Sequence, residues 1–118
     1  MAVVGISDKP DRPSYGVAKY LQERGFQVIP VNPLIGGVLG EKSYPSLSEI
    51  PGKVDLVDVF RKSVDVPPIA EEAVRIGARF FWMQEGVVSE AAREILDAAG
   101  IPWVMDRCVK KELAKRGR

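Results

Sequence analysis

Met1-Ala2-Val3-Val4-Gly5-Ile6-Ser7-Asp8-Lys9-Pro10-Asp11-Arg12-Pro13-Ser14-Tyr15-Gly16 decides the fold of this chain. A short apolar run, Ala2 to Ile6, reads as a buried strand. Gly5 lets the backbone turn tightly and approach a ligand. A polar, proline-rich loop carrying Lys9 and Arg12 follows, and a helix opens at Pro13. Strand, glycine, loop and helix in that order form the phosphate-binding corner of an α/β nucleotide fold. The helix start directs free N–H groups and the positive end of its dipole at the corner.

The rest of the chain repeats the alternation. Val17, Tyr20 and Leu21 share a helix face, and Gly25 ends that helix. Phe26 to Val31 is expected as a second strand closed by Asn32-Pro33, and Leu34 to Leu47 as loop. Ser46 with Glu49 matches a capping box for a helical turn. Val54 to Phe60, Arg79 to Met83 and Ile101 to Met105 are the third, fourth and fifth strands. Helices are expected over Val66 to Ile76, with Pro67 and Pro68 in the first turn, over Ser89 to Ala99, with Ser89 as N-cap and Gly100 as terminator, and over Arg107 to Lys115. Strands separated by helices imply βαβ units. The expected fold is therefore α/β: one Rossmann-like, doubly wound, mostly parallel sheet of about five strands flanked by helices, a single domain over residues 1–118. Phe80, Phe81, Trp82 and Trp103 are assigned to the core.

Composition narrows the function. Lys plus Arg is 17 against 16 for Asp plus Glu, a net charge of +1, which does not suggest a nucleic-acid binder. The basic end from Lys110 to Arg118 reads as a solvated helix terminus. No apolar run approaches a membrane span of about 20 residues, and no leader is expected. One cysteine, Cys108, excludes an internal disulfide and points to the reducing cytoplasm. With no histidine, a Ser-His-Asp triad, a histidine-ligated metal and a phosphohistidine are all excluded, and no metal site is expected.

In a doubly wound sheet the ligand lies outside the carboxyl ends of the strands. The residues to weigh are Gly5 to Ser14, Asn32-Pro33, Phe60-Arg61-Lys62, Gln84-Glu85-Gly86 and Asp106-Arg107-Cys108. The dinucleotide fingerprint is incomplete: only Gly5 of its glycines is present, and the second strand ends without the ribose-binding acid. A Walker A loop is absent. The longer, basic loop suits a ligand with extra phosphate, such as coenzyme A. Several residues carry two readings each. Ser7 either donates to a phosphate or closes a local turn; Ser14 either contacts the ligand or caps the helix. Asn32 is a strand-ending turn residue or a ligand donor. Glu85 accepts from the ligand or caps the following helix. Cys108 is a small buried hydrophobe or a reactive thiol able to form a mixed disulfide. Asp55 and Asp58 fall on opposite faces of a strand and make a poor acid–base pair.

Val3-Val4-Gly5-Ile6-Ser7-Asp8-Lys9-Pro10, Gly25 to Pro33, Tyr44-Pro45-Ser46-Leu47, Val54 to Phe60, Trp82-Met83-Gln84-Glu85-Gly86 and Met105-Asp106-Arg107-Cys108 together resemble the small stand-alone CoA-binding-domain proteins. That family is related to the CoA-binding domain of the succinyl-CoA synthetase alpha subunit. The resemblance runs from about Ala2 to Lys110. It implies CoA or an acyl-CoA as ligand, with Gly5, Ser7, Lys9, Pro10, Arg12, Ser14 and Tyr15 at the phosphates. Val31, Asn32 and Pro33 would lie near the adenosine, Phe60 and Arg61 beside the phosphates or pantetheine, and Gln84, Glu85 and Gly86 along the pantetheine arm, with Cys108 on the same edge. The synthetases' catalytic regions have no counterpart here, so the expectation is a non-catalytic binding module, as a homodimer or partner subunit. The alternative is an NAD(P)-binding redox protein or sensor, for which Tyr15 and Lys19 are the nearest proton-relay candidates.

Overall fold

The computed structural model describes residues 1–116; Gly117 and Arg118, the tip of the expected basic end, lie outside the described residues. The elements run β1 (Ala2–Val4), α1 (Pro13–Glu23), β2 (Ile29–Val31), β3 (Gly37–Val38), β4 (Glu41–Lys42), β5 (Leu56–Val59), α2 (Val66–Arg75), β6 (Phe80–Met83), α3 (Glu90–Ala99), β7 (Trp103–Val104) and α4 (Val109–Arg116). Five strands form one sheet in the order β2-β1-β5-β6-β7. All four pairings are parallel, with Val4 opposite both Val31 and Val59, and Val59 opposite Met83.

Side-chain alternation along each strand feeds two cores. Ala2, Val4, Val57, Val59, Phe81 and Met83 pack with α2 and α3. Val3, Val17, Leu21, Val28 and Val109 build the core under α1 and α4. From β1 the chain goes by α1 to β2 on one side; from β5 it goes by α2 to β6 on the other. That reversal makes the β1–β5 junction the switch point, where ligands bind in such sheets. No helix among the described residues is long and apolar enough to cross a membrane.

Local chemistry sets the helix ends. Ser89 caps α3, its hydroxyl accepting the Ala92 N–H at 3.1 Å, worth about 1 kcal/mol. Gly100 ends the helix at φ +74°, as a left-handed C-cap requires. Val66 and the two prolines after it open α2.

Several expectations are corrected. Strand β1 stops at Val4, because Gly5 turns at φ +85°, yet Ile6 remains fully buried. Strands β2 and β7 are shorter than expected. The stretch taken for loop contains the antiparallel hairpin β3–β4. Ser46 makes no side-chain cap; Glu72 from α2 takes its place, accepting from the amides of Leu47 and Ser48 and from the Ser48 hydroxyl at 3.2, 3.1 and 2.7 Å. Phe81 is buried, but Phe80, Trp82 and Trp103 are half-buried. The two indoles donate to the Arg107 carbonyl and to Asp97.

Asp58 stands apart from the apolar pattern. It projects to the α1/α4 side of β5, opposite Val3 and Trp82, while Asp55 is exposed. Neither Asp58 oxygen has a hydrogen-bond partner. Burial pushes its pKa well above the usual 3.8, so the carboxyl is held toward its neutral form.

Candidate functional site

A staircase of backbone hydrogen bonds aligns the residues that leave each strand. Gly5 donates to Val31 at 2.9 Å, Phe60 to Val4 at 2.8 Å, Gln84 to Val59 at 3.3 Å and Arg107 to Met83 at 3.3 Å. Gly5, Phe60 and Gln84 each continue the parallel ladder one residue past their strand, and Arg107 bonds back three residues past β7. Gly5, Phe60, Gln84 and Arg107 therefore stand in a row along the carboxyl edge of the sheet.

The loop from β1 to α1 is tied internally. The Ser7 N–H donates to the Ser14 hydroxyl at 2.9 Å, and the Lys9 N–H to the Ser7 hydroxyl at 3.1 Å. Ser14 is thus not the N-cap. Arg12 holds that position with no side-chain cap bond, and Ser14, one residue past Pro13, pins the loop. Pro13 has no N–H, and no acidic side chain occupies the first turn of α1. The positive end of α1 is uncompensated by the protein.

Against this edge lies a cavity of about 520 Å³ lined by Gly5, Ser7, Arg12, Ser14, Phe60, Arg61, Gln84, Glu85 and Cys108. Of its remaining walls, Pro13 and Lys62 lie in the stretches that the sequence singles out, whereas Val17 and Val87 do not. Val17 and Val87 carry only a generic apolar signal. Arg61 divides this cavity from a second of about 340 Å³, where Val31 and Pro33 sit with Gly5, Pro45 and Ser46.

Gly5 owes its identity to that division. A Cβ there would collide with the Phe60 carbonyl and stand 2.7 Å from Arg61 Cδ. The close approach expected of Gly5 is thus made by the β5 loop of the protein itself.

Lys9, Pro10, Tyr15, Asn32 and Gly86 line neither cavity. Lys9 and Pro10 are exposed, and Tyr15 packs on the α1/α4 core. Asn32 is a loop clamp. Its Nδ2 donates to the Ile6 carbonyl at 2.8 Å, and its Oδ1 accepts the Leu34 N–H at 2.8 Å. Gly86 donates to Asp106 Oδ1 at 2.7 Å.

The cavity is cationic. Arg12 and Lys62 have no ion-pair partner among the described residues. Arg61 pairs with Asp65 at 3.2 Å, and the one carboxylate present, Glu85, is neutralised by Lys111 at 3.0 Å. Glu85 does not cap α3, where Ser89 does. No cluster of three or more potential metal ligands occurs among the described residues. The surface suits an anion beside Arg12 and α1, continued by a less polar arm along Val17, Phe60 and Val87.

The family model described as "CoA binding domain" matches residues 1–114. The Bacillus subtilis (strain 168) protein YneT is 47% identical over 110 residues, covering 93% of this chain and 82% of that protein. Acetate–CoA ligase [ADP-forming] II of Archaeoglobus fulgidus is 31% identical over 81 residues, 67% of this chain but 12% of the ligase. Among solved structures, a hypothetical protein from Pyrococcus horikoshii OT3 superposes with a TM-score of 0.95 at 40% identity, over 97% of this chain and 80% of that one.

Proposed function

This chain belongs to the CoA binding domain family, and from that premise we propose that it binds coenzyme A or an acyl-CoA at the carboxyl edge of its sheet without catalysing a reaction. The observation that carries the reading is the pair of unpaired cations, Arg12 and Lys62, in one cavity with the uncompensated start of α1. A phosphate there gains charge-assisted hydrogen bonds and the helix dipole together. The cavity extends past Phe60 and Val87 to Gln84, which gives an extended pantetheine arm both apolar walls and a polar anchor.

The dinucleotide alternative is less well supported. A ribose-binding acid after the second strand is missing, and Asn32 in its place is already committed to Ile6 and Leu34. The proposal of binding without catalysis draws on the absence of histidine and on the pairing of Glu85 with Lys111, which leaves no free carboxylate at the cavity.

Thermal melting with CoA, acetyl-CoA, dephospho-CoA, NAD and NADP tests the reading. A ligand at 100 times its Kd adds about 2.7 kcal/mol, several degrees for a domain of this size. CoA and acetyl-CoA are expected to raise Tm most, and dephospho-CoA less. A larger rise with NAD or NADP overturns the reading in favour of a redox protein. Release of free CoA from acetyl-CoA in stoichiometric excess overturns the non-catalytic assignment.

A further inference from the structure

Gln84 is 4% exposed and lines the cavity. Its Oε1 accepts the Val109 N–H at 3.1 Å, which fixes the orientation of the amide and turns Nε2 into a donor. No acceptor for that donor exists among the described residues. Nε2 is not sealed from solvent, so a ligand in the cavity that Gln84 lines can supply its acceptor. The same residue holds the first turn of α4, and immediately before that turn Cys108, half-buried, lines the same cavity.

The position of Cys108 is set from both sides. Its carbonyl accepts from Glu112 at 3.0 Å in the first turn of α4. Two residues earlier, Asp106 adopts φ +59° and binds Gly86, folding the chain back toward the cavity. The strand ends that carry Arg12 and Cys108 are separated by those of β5 and β6. A ligand with its phosphates at Arg12 and a carbonyl on Gln84 Nε2 runs along the edge toward Cys108. On the reading that the cavity takes CoA, the group at that end of the ligand is a thiol.

Resting on that reading, we infer that Cys108 is the attachment point for the ligand's own sulfur, through a mixed disulfide with CoA. The co-reactant is CoA disulfide. The Cys108 thiolate, its proton given to solvent, attacks one sulfur of CoA disulfide; the Cys108–CoA bond forms as the original S–S bond breaks. The second CoA departs as a thiolate and takes a proton from solvent. Cys108 is oxidised and one CoA is released reduced. With one cysteine in the chain, the disulfide cannot be resolved internally, so the adduct persists until an external thiol removes it.

The test is intact-mass analysis of reduced protein mixed with CoA disulfide or, at matched concentration, glutathione disulfide. Binding beforehand makes the exchange effectively intramolecular, so the CoA adduct is expected to form more than about tenfold faster than the glutathione adduct. Dithiothreitol should reverse it, and Cys108→Ser should abolish it. Gln84→Glu keeps an acceptor for the Val109 N–H and loses the donor. It should slow the CoA adduct by a larger factor than the glutathione adduct, because the added charge acts on both and the lost donor only on the first. Equal rates for the two disulfides overturn the inference, as does the absence of any adduct. If the adduct is absent while CoA still raises Tm, this inference fails and the CoA reading stands. If CoA does not change Tm either, both fail.

Discussion

Asp106 and Gly86 join two neighbouring strand-end loops: the Asp106 carboxylate accepts the Gly86 N–H at 2.7 Å while the Asp106 backbone sits at φ +59°. The side chain thus fastens the loop after β7 to the loop after β6, in a conformation that costs most residues about 1–2 kcal/mol. Aspartate and asparagine tolerate it because they bond locally. Asp106→Asn is therefore expected to be nearly neutral in urea denaturation. Asp106→Ala loses both the bond and the tolerance, about 2 kcal/mol in sum. Asp106→Gly, which relieves the backbone and still loses the bond, should fall between them. Equal stability for the alanine and asparagine variants would show that the bond is idle.

Gly5 and Gly100 have similar positive φ values, +85° and +74°, but different surroundings. A Cβ on Gly100 meets open space, whereas one on Gly5 collides with the Phe60 carbonyl. Gly100→Ala should cost about 1 kcal/mol, from φ alone. Gly5→Ala adds a backbone displacement at the switch point, and the total is expected to reach about 3 kcal/mol. The same variant shifts Phe60 and Arg61 and should weaken CoA-dependent stabilisation. Matched denaturation curves for the two variants check the comparison.

The contrast also shows what could be read from the chain. The order of strand, glycine, basic loop and helix located the switch point, since each signal is local. Ser89 and Gly100 were legible for the same reason. The hairpin β3–β4 was not. Its two-residue strands are too short to show alternation, and its turn runs through Leu39 at φ +56° and Gly40 at φ +79°. Asn-Gly is the usual signal for such a turn; leucine gives none. The displaced cap was equally hidden, because Glu72 lies on α2, far along the chain from the Leu47 and Ser48 amides that it binds. At the site, Lys9 and Arg12 looked alike as loop cations. The folded loop separates them: Arg12 borders the cavity and Lys9 does not.

Asp58 gives a pH dependence of definite sign. Its native pKa is raised well above 3.8 by burial, so the native state holds its proton more tightly than the unfolded chain. Its contribution to stability is complete below 3.8. It is lost as pH rises toward the native pKa, at a slope of up to about 1.4 kcal/mol per pH unit. Asp58→Asn removes the titration. The difference in unfolding free energy between variant and wild type should grow in favour of the variant as pH rises from 4 to 7. A difference independent of pH would mean that Asp58 finds a partner in solution.

Glu72 works in the opposite direction. Burial by itself pushes its carboxyl up, but the hydrogen bonds from Ser48 and Leu47 outweigh burial and hold it below the usual 4.5. Its contribution is therefore present above 4.5 and lost as pH falls through the native value. Glu72→Gln should cost about 1 kcal/mol at neutral pH, the worth of a helix cap, and converge with wild type in acid. Denaturation at several pH values reads this, and parallel curves would refute it.

The two loop cations that sequence alone could not separate make the sharpest binding prediction. Arg12 lines the cavity beside the start of α1 without an ion-pair partner, and Lys9 is exposed outside it. A charge-assisted bond to phosphate is worth about 1.5–3 kcal/mol. Arg12→Ala is therefore expected to weaken CoA binding by a factor of about 10 to 100, as measured by calorimetric titration. Lys9→Ala removes the same charge from the same loop but should change Kd less than about twofold, because an exposed charge is screened by solvent. Arg12→Lys should recover only part of the loss, since an ammonium lacks the two-pronged geometry that matches phosphate oxygens. If the two alanine variants weaken binding equally, the loop acts through its net charge and the cavity beside α1 is not where the phosphates lie.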